Sequence, residues 1–232
     1  MGERSLDLAS RREGTREKVS PAIVKFCLNE IKEHFDENLG YIREQFFMAD
    51  ERVENGKEDE AENIWSAQIV FLESAFDFYL HELTKFGLSE MFTGNWQKTE
   101  KYSNLSIKMS IVDKALNARE DSAWFLEFVD EFYREITLVS YQSVKDQMNL
   151  LGLNLQEIAD AVFYERDSSV KTKDKMESFL KGLYHKRNVI AHQSGRRHSD
   201  ARREEVTKDM VENYINGIEK IVGKIQEMAK NK

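Results

Sequence analysis

The 232-residue sequence contains few of the residues that interrupt helices or staple small folds. It has one proline and 11 glycines, so long helices can run without interruption. Its single cysteine, Cys27, excludes an internal disulfide and suits a reducing compartment. Because Cys27 falls among apolar residues at helical spacing, we expect it to be a small buried hydrophobic side chain rather than a nucleophile.

Long apolar runs are also missing. No stretch approaches the ~20 apolar residues that span a bilayer, and the first residues contain no apolar segment typical of a signal peptide. We therefore expect a cytoplasmic protein without a membrane partner. Residues 1–19 are polar and lack periodicity, which predicts a flexible tail. Residues 20–232 are enough for a single domain with a sizeable core.

Several familiar site motifs are absent. The sequence has no glycine-rich phosphate loop, no Cys/His cluster at zinc spacing and no His-Glu-x-x-His motif, so we expect no metal and no cofactor. We interpret the neighbours His81 and Glu82 as a hydrogen-bonded pair rather than as metal ligands. The formal net charge of −8 also argues against a general nucleic-acid binder, which presents a basic face.

Apolar residues recur at steps of three and four along most of the chain. This pattern predicts an all-α helical bundle with long antiparallel helices and short accessory helices. Ser20 and Pro21 are a typical helix start, and Gly87 is a typical helix end. The run at 136–139 favours a strand by composition but falls within a helical period. The longest predicted helices cover about residues 20–53, 58–86, 122–151, 173–194 and 207–230.

The predicted helix at 173–194 combines an apolar stripe with unusual polar residues. Arg187 lies within the stripe, where a desolvated guanidinium needs a partner. Tyr184, Asn188 and His192 are four residues apart and share a face. Arg187 and His192 are offset by about 140° around the axis, so one helix cannot present both on one face. Either these residues satisfy buried carboxylates or carbonyls between helices, or a second copy of the helix completes a site.

The segment Arg187-Asn188-Val189-Ile190-Ala191-His192 resembles the Arg-polar-x-x-x-His motif of the HEPN superfamily (higher eukaryotes and prokaryotes nucleotide-binding), in particular its RiboL-PSP-HEPN branch. The motif stands late in the chain, at the end of an amphipathic helix, and another long helix follows it. The helix near 65–86 is similar to an early HEPN helix, so the resemblance covers most of 58–228. Gln193 departs from the pattern, because glycine is common after the histidine.

The resemblance implies a metal-independent endoribonuclease, often a toxin or phage-defence effector, that acts as a homodimer through its motif helices. The catalytic residues would be Arg187, Asn188 and His192. His192 would move a proton during attack by the RNA 2′-hydroxyl, and Arg187 would stabilise the phosphoryl oxygens. Asn188 would bind the phosphate or orient His192. The product would be a 2′,3′-cyclic phosphate.

RNA would also meet residues around the motif. Tyr184 either lines the same face or packs its ring, and a basic segment directly after the motif could steer a phosphate backbone or be an ordinary solvated loop. Two other functions stay open: a non-catalytic HEPN protein that binds RNA, a nucleotide or a protein partner, and a toxin masked by an antitoxin. The candidate RNA-binding residues are Tyr184, Lys186, Arg196, Arg197, Arg202 and Arg203.

Overall fold

A computed structural model describes residues 23–117, 123–193, 195–196, 201 and 203–232. The expected tail at 1–19 and the Ser20-Pro21 helix start lie outside these residues. The described residues form an all-α bundle, which confirms the predicted fold class, and none of their helices is long and apolar enough to cross a membrane. The helices are α1 (Leu28–Glu54), α2 (Glu58–Thr93), α3 (Glu100–Ser103), α4 (Met109–Asn117), α5 (Ala123–Tyr133), α6 (Tyr141–Leu151), α7 (Leu155–Phe163), α8 (Thr172–Gln193) and α9 (Lys208–Lys230).

Helix α2 is the centre of the bundle. It forms a hairpin with α1, and it also packs against α5, α6, α8 and α9. Most of its apolar residues are buried because neighbours cover much of its circumference, although Phe71 and Phe78 stay exposed. Polar side chains on α2 therefore face other helices, which matters for the motif on α8. The fully buried residues of the α1–α2 core include Ile31, Phe35, Leu39, Ile69, Leu72, Phe76 and Tyr79.

The start of α1 differs from the prediction. The described chain before Leu28 is not helical, and Cys27 is exposed at the N-cap, where its backbone N–H donates to Glu30 Oε2 at 2.7 Å. Lys25 in this segment forms an ion pair with Glu90 near the end of α2. The expectation of a buried Cys27 was wrong, because contacts with a distant part of the chain hold these residues outside the helix.

Helix α2 does not end at Gly87. It continues to Thr93 and ends at Gly94, whose φ of 85° is left-handed. Gly87 is instead a place of close packing: a Cβ there would lie 2.6 Å from Leu151 Cδ2 and 2.7 Å from Trp96 Cζ3. Gly87 thus allows α2 to contact Leu151 and Trp96. In the sequence, a glycine that is needed for such close packing looks the same as a glycine that ends a helix.

Gly87→Ala should destabilise the protein although alanine favours helices. The two contacts below 3 Å produce an overpacking cost of about 1–3 kcal/mol, which we expect to exceed the helix-propensity gain. Gly40→Ala is the matched control, since Gly40 lies within α1 with no heavy atom within 4 Å of its Cβ position. It should stabilise by about 0.5–1 kcal/mol. Urea unfolding measures the free energy of unfolding of both variants. An increase in Gly87→Ala as well as in Gly40→Ala would contradict the close packing.

The predicted helix at 122–151 is two helices, α5 and α6. Between them, the run at 136–139 is not helical. Asp77 on α2 accepts a hydrogen bond from the Leu138 backbone N–H at 2.7 Å, and His81 Nε2 lies 2.9 Å from the Ile136 carbonyl oxygen. These side chains satisfy backbone groups that a continuous helix would pair internally. The helical period across this run was therefore misleading.

The expected hydrogen bond between His81 and Glu82 is also not formed. His81 is bound to the connection between α5 and α6, whereas Glu82 accepts a hydrogen bond from Lys85 at 2.8 Å. Successive helix residues point in different directions, so the two side chains serve different neighbours. His81 and Glu82 therefore bind different partners around α2.

Candidate functional site

Helix α8 carries the motif and agrees closely with its predicted range. Met176, Leu180 and Leu183 are buried along the face that packs on the bundle. Val189 is buried on a different face, and its carbonyl oxygen accepts a hydrogen bond from the Gly195 backbone N–H at 3.1 Å. The chain thus folds back against the end of α8 directly after the motif.

Arg187 lies in the buried stripe and meets a carboxylate on α2. Its Nε is 2.5 Å from Glu73 Oε2, and its Nη1 donates to Asn188 Oδ1 at 2.8 Å. The Glu73 side chain is 2% exposed and the Arg187 side chain is 29% exposed. The buried carboxylate provides the partner that a desolvated guanidinium needs. Arg187 Nη2 forms no hydrogen bond with any described residue.

Glu73 has an unusual environment for a carboxyl group. Burial raises its pKa to about 7, the charge of Arg187 opposes this rise, and Asp77 adds to it. Within the described part of the chain, Oε1 of Glu73 has no hydrogen-bond partner. Glu73 was not among the site residues predicted from the sequence. Its position between apolar residues on α2 was the available signal, because a carboxyl group there requires a partner.

His192 and Asn188 occupy the exposed side of α8. His192 is exposed on the last turn, while Asn188 is half-buried and bound to Arg187. Tyr184, one turn earlier, is half-buried and packs against the core. Arg187 faces Glu73 on α2 whereas His192 faces solvent, in agreement with the angular offset. A single chain therefore presents the guanidinium and the imidazole on different faces.

The basic segment after the motif is described only in part. Arg196 and Arg203 are exposed and form an isolated antiparallel bridge. Arg196 donates to the Ala201 carbonyl oxygen at 3.0 Å, and Arg203 donates to Asn63 on α2. Arg197 and Arg202 lie outside the described residues. Arg196 and Arg203 thus stand beside the end of α8 with hydrogen bonds that fix their direction.

Lys186 is placed less favourably for a ligand. It is half-buried, and its Nζ lies 2.9 Å from Glu204 Oε2. The side chains of both residues are about 15% exposed, so the carboxylate offsets the ammonium charge within a shielded pair. Lys186 holds the returning chain against α8, and an anion would have to compete with Glu204 for it.

The polar groups around the motif are a guanidinium, an amide and an imidazole. No group of three or more His, Cys, Asp or Glu side chains that could hold a metal ion occurs among the described residues. Arg187 presents a guanidinium that is held at Nε and Nη1, with Nη2 unbound by any described residue, and Asn188 and the exposed His192 lie on the same helix. Such groups can bind an anion such as a phosphodiester and move a proton near neutral pH.

Comparison with known proteins found no matching family model, no matching curated protein and no matching solved structure. The function must therefore be inferred from the residues of this chain and their surroundings.

Proposed function

We propose that the protein is a metal-independent endoribonuclease of HEPN type. The observation that supports this most directly is the state of Arg187, which Glu73 and Asn188 hold by Nε and Nη1 while Nη2 stays unbound by described residues. A guanidinium fixed in this way is preorganised for a phosphoryl oxygen. His192, exposed on the last turn of α8, supplies the proton chemistry that the motif resemblance implies.

The proposed reaction uses the nucleophile that RNA itself carries. His192 removes the proton of a 2′-hydroxyl, and the oxygen attacks the adjacent phosphorus. The bond from phosphorus to the 5′-oxygen breaks, that oxygen takes up a proton, and a 2′,3′-cyclic phosphate remains. Arg187 Nη2 donates to a non-bridging oxygen as negative charge develops. Asn188 keeps the guanidinium in position through its side-chain oxygen.

The proposed active unit is a homodimer in which two α8 helices face each other. Arg187 and His192 point in different directions from one helix, so a two-fold axis would bring Arg187 of one copy near His192 of the other. The same resemblance assigns the activity to a cytoplasmic toxin or phage-defence effector, and an antitoxin would then be its protein partner.

A second candidate function is binding without catalysis. It is favoured by the Arg187–Glu73 contact itself, because an ion pair between α8 and α2 can serve the fold alone. A non-catalytic protein would still bind RNA, a nucleotide or a protein partner. The two functions differ at His192, since catalysis needs its proton transfer and binding does not.

Cleavage of a broad RNA panel in EDTA, with analysis of the product ends, tests the proposal. The wild-type protein should cut and leave 2′,3′-cyclic phosphate, and His192→Ala should lose about 10²–10⁴-fold in rate. Arg187→Lys keeps a charge but loses the planar donors, so it should also be inactive while folding normally. His185→Ala is the matched control, because His185 is exposed on the same helix. Cutting that survives His192→Ala would reject this site, and no cutting by wild type would favour binding alone.

A further inference from the structure

A groove lies beside the part of α8 that precedes the motif. Two adjoining cavities of about 520 and 410 Å³ share Lys145 and Lys173, so they form one continuous groove. The first cavity reaches Tyr184 on α8 and the start of α6. The second reaches Asn154 at the start of α7. We call this the α6–α8 groove.

The two shared lysines have no acidic partner at ion-pair distance among the residues that the structure describes. Lys145 and Lys173 are half-buried, and neither forms an ion pair or a hydrogen bond with a described residue. Most half-buried charged groups have a partner that offsets their lost hydration. The first turns of α6 and α7 also border the groove. The helix dipole there favours an anion, although the N-cap side chains of Ser140 and Asn154 already bind one backbone N–H group each.

Two carboxylates near the groove are paired with lysines, and a third lies outside its lining although its charge acts on Tyr141. Glu177 lines the first cavity, but it lies 2.6 Å from Lys181 Nζ one turn further along α8. Asp146 follows Lys145 in the sequence and accepts a hydrogen bond from Lys101 at 2.7 Å. Asp174 is exposed and does not line either cavity. The groove therefore keeps a positive balance within a protein of net charge −8.

Tyr141 lies at the wall of the first cavity, and its hydroxyl has no hydrogen-bond partner among the described residues. The hydroxyl is buried, so a ligand in the groove does not reach it without a side-chain movement. The groups that the groove offers to phosphate oxygens are therefore the ammonium groups of the two shared lysines.

The groove leads towards the motif. The distance along α8 from Lys173 to Tyr184 is about 16 Å at 1.5 Å per residue, which is long enough for several phosphates of a strand. Tyr184, Asn188 and His192 then follow at one-turn intervals on the same face. A strand that lies in the groove would therefore continue over Asn188 to His192.

We propose that the α6–α8 groove binds the sugar–phosphate backbone of single-stranded RNA and guides it to His192. Lys145 and Lys173 contact phosphates of the strand. This inference rests on the proposed function, and it assigns substrate binding to a surface separate from the basic segment that contains Arg196 and Arg203. The contacts are to the backbone, so they position the strand without selecting a base.

Binding of a fluorescein-labelled single-stranded RNA 12-mer with 2′-O-methyl sugars, which cannot be cleaved, tests the groove. The double variant Lys145→Gln/Lys173→Gln should bind at least tenfold more weakly, and the slope of log K against log salt should become shallower by about 1.4, since each single-strand phosphate contact contributes about 0.7. Lys220→Gln, on an exposed lysine of α9, is the control and should change neither quantity.

The double variant Lys145→Arg/Lys173→Arg should retain the wild-type salt slope, which separates charge loss from misfolding. An unchanged slope in the glutamine variant would overturn the inference. Displacement of the 12-mer by inorganic phosphate at a similar concentration would overturn it too, because the groove would then be a small-anion site. If the lysines bind the 12-mer but the wild type cuts no RNA, the groove is supported and the proposed nuclease activity is rejected. If the wild type cuts RNA but the glutamine variant keeps the wild-type salt slope of binding, the nuclease activity is supported and the groove is rejected.

Discussion

Mixing Arg187→Ala and His192→Ala subunits in equal amounts should restore about a quarter of the wild-type RNA cleavage rate, although each variant alone is inactive. This result follows if each active site takes Arg187 from one copy and His192 from the other. A mixed dimer then contains one intact site and one site that lacks both residues. Random exchange makes half of the dimers mixed, and each keeps half of its sites.

The geometry of α8 is the reason for expecting a shared site. Arg187 is bound to Glu73 on the buried side of the helix, while His192 is exposed. Two groups that act on one phosphate must converge within hydrogen-bond distance of it, and the offset of about 140° between them works against this within one straight helix.

The mixture is prepared by refolding the two variants together from urea, and the cleavage rate is measured with a fluorescent RNA. Each variant refolded alone is the control, and light scattering reports the oligomeric state. A mixture as inactive as its components would show that Arg187 and His192 of the same copy act together. A monomeric mass at micromolar concentration would reject the dimer altogether.

Glu73→Gln should change the pH dependence of stability more than any other single carboxyl substitution in the described part of the chain. Burial raises the pKa of Glu73 to about 7 from an ordinary value of 4.5. As the pH rises from 4.5 to 7, the unfolded chain releases this proton while the folded chain keeps it, so the wild type loses stability across that range. Above pH 7 the folded carboxyl also ionises and the loss levels off.

The variant has no such group to titrate. The difference in unfolding free energy between Glu73→Gln and wild type should therefore move by about 2–3 kcal/mol in favour of the variant between about pH 5 and about pH 8. Urea unfolding at a series of pH values measures it. Glu44→Gln, at an exposed carboxylate on α1, should show almost no such change. A flat difference for Glu73→Gln would mean that the carboxyl is ionised throughout, held by Arg187.

Helical periodicity in the sequence was sufficient for the fold class and for the bounds of α8, because a helix buries residues three and four apart whichever neighbour covers them. The same local information failed where a distant contact decided the backbone. Cys27 lies outside α1 in a segment that pairs with α2, and the run at 136–139 is held open by Asp77 and His81. Gly87 carries a helix-end signal, yet it serves the close approach of Trp96 and Leu151.

For the candidate site, the sequence by itself determined that Arg187 interrupts an apolar stripe, that it needs a partner, and that His192 points elsewhere, since these follow from the spacing on one helix. Only the tertiary structure decided that the partner is Glu73 and that Lys145 and Lys173 share one groove. Such pairs join elements far apart in the chain. Which residues meet depends on how α8 is positioned against α2 and α6, and no local pattern specifies that position.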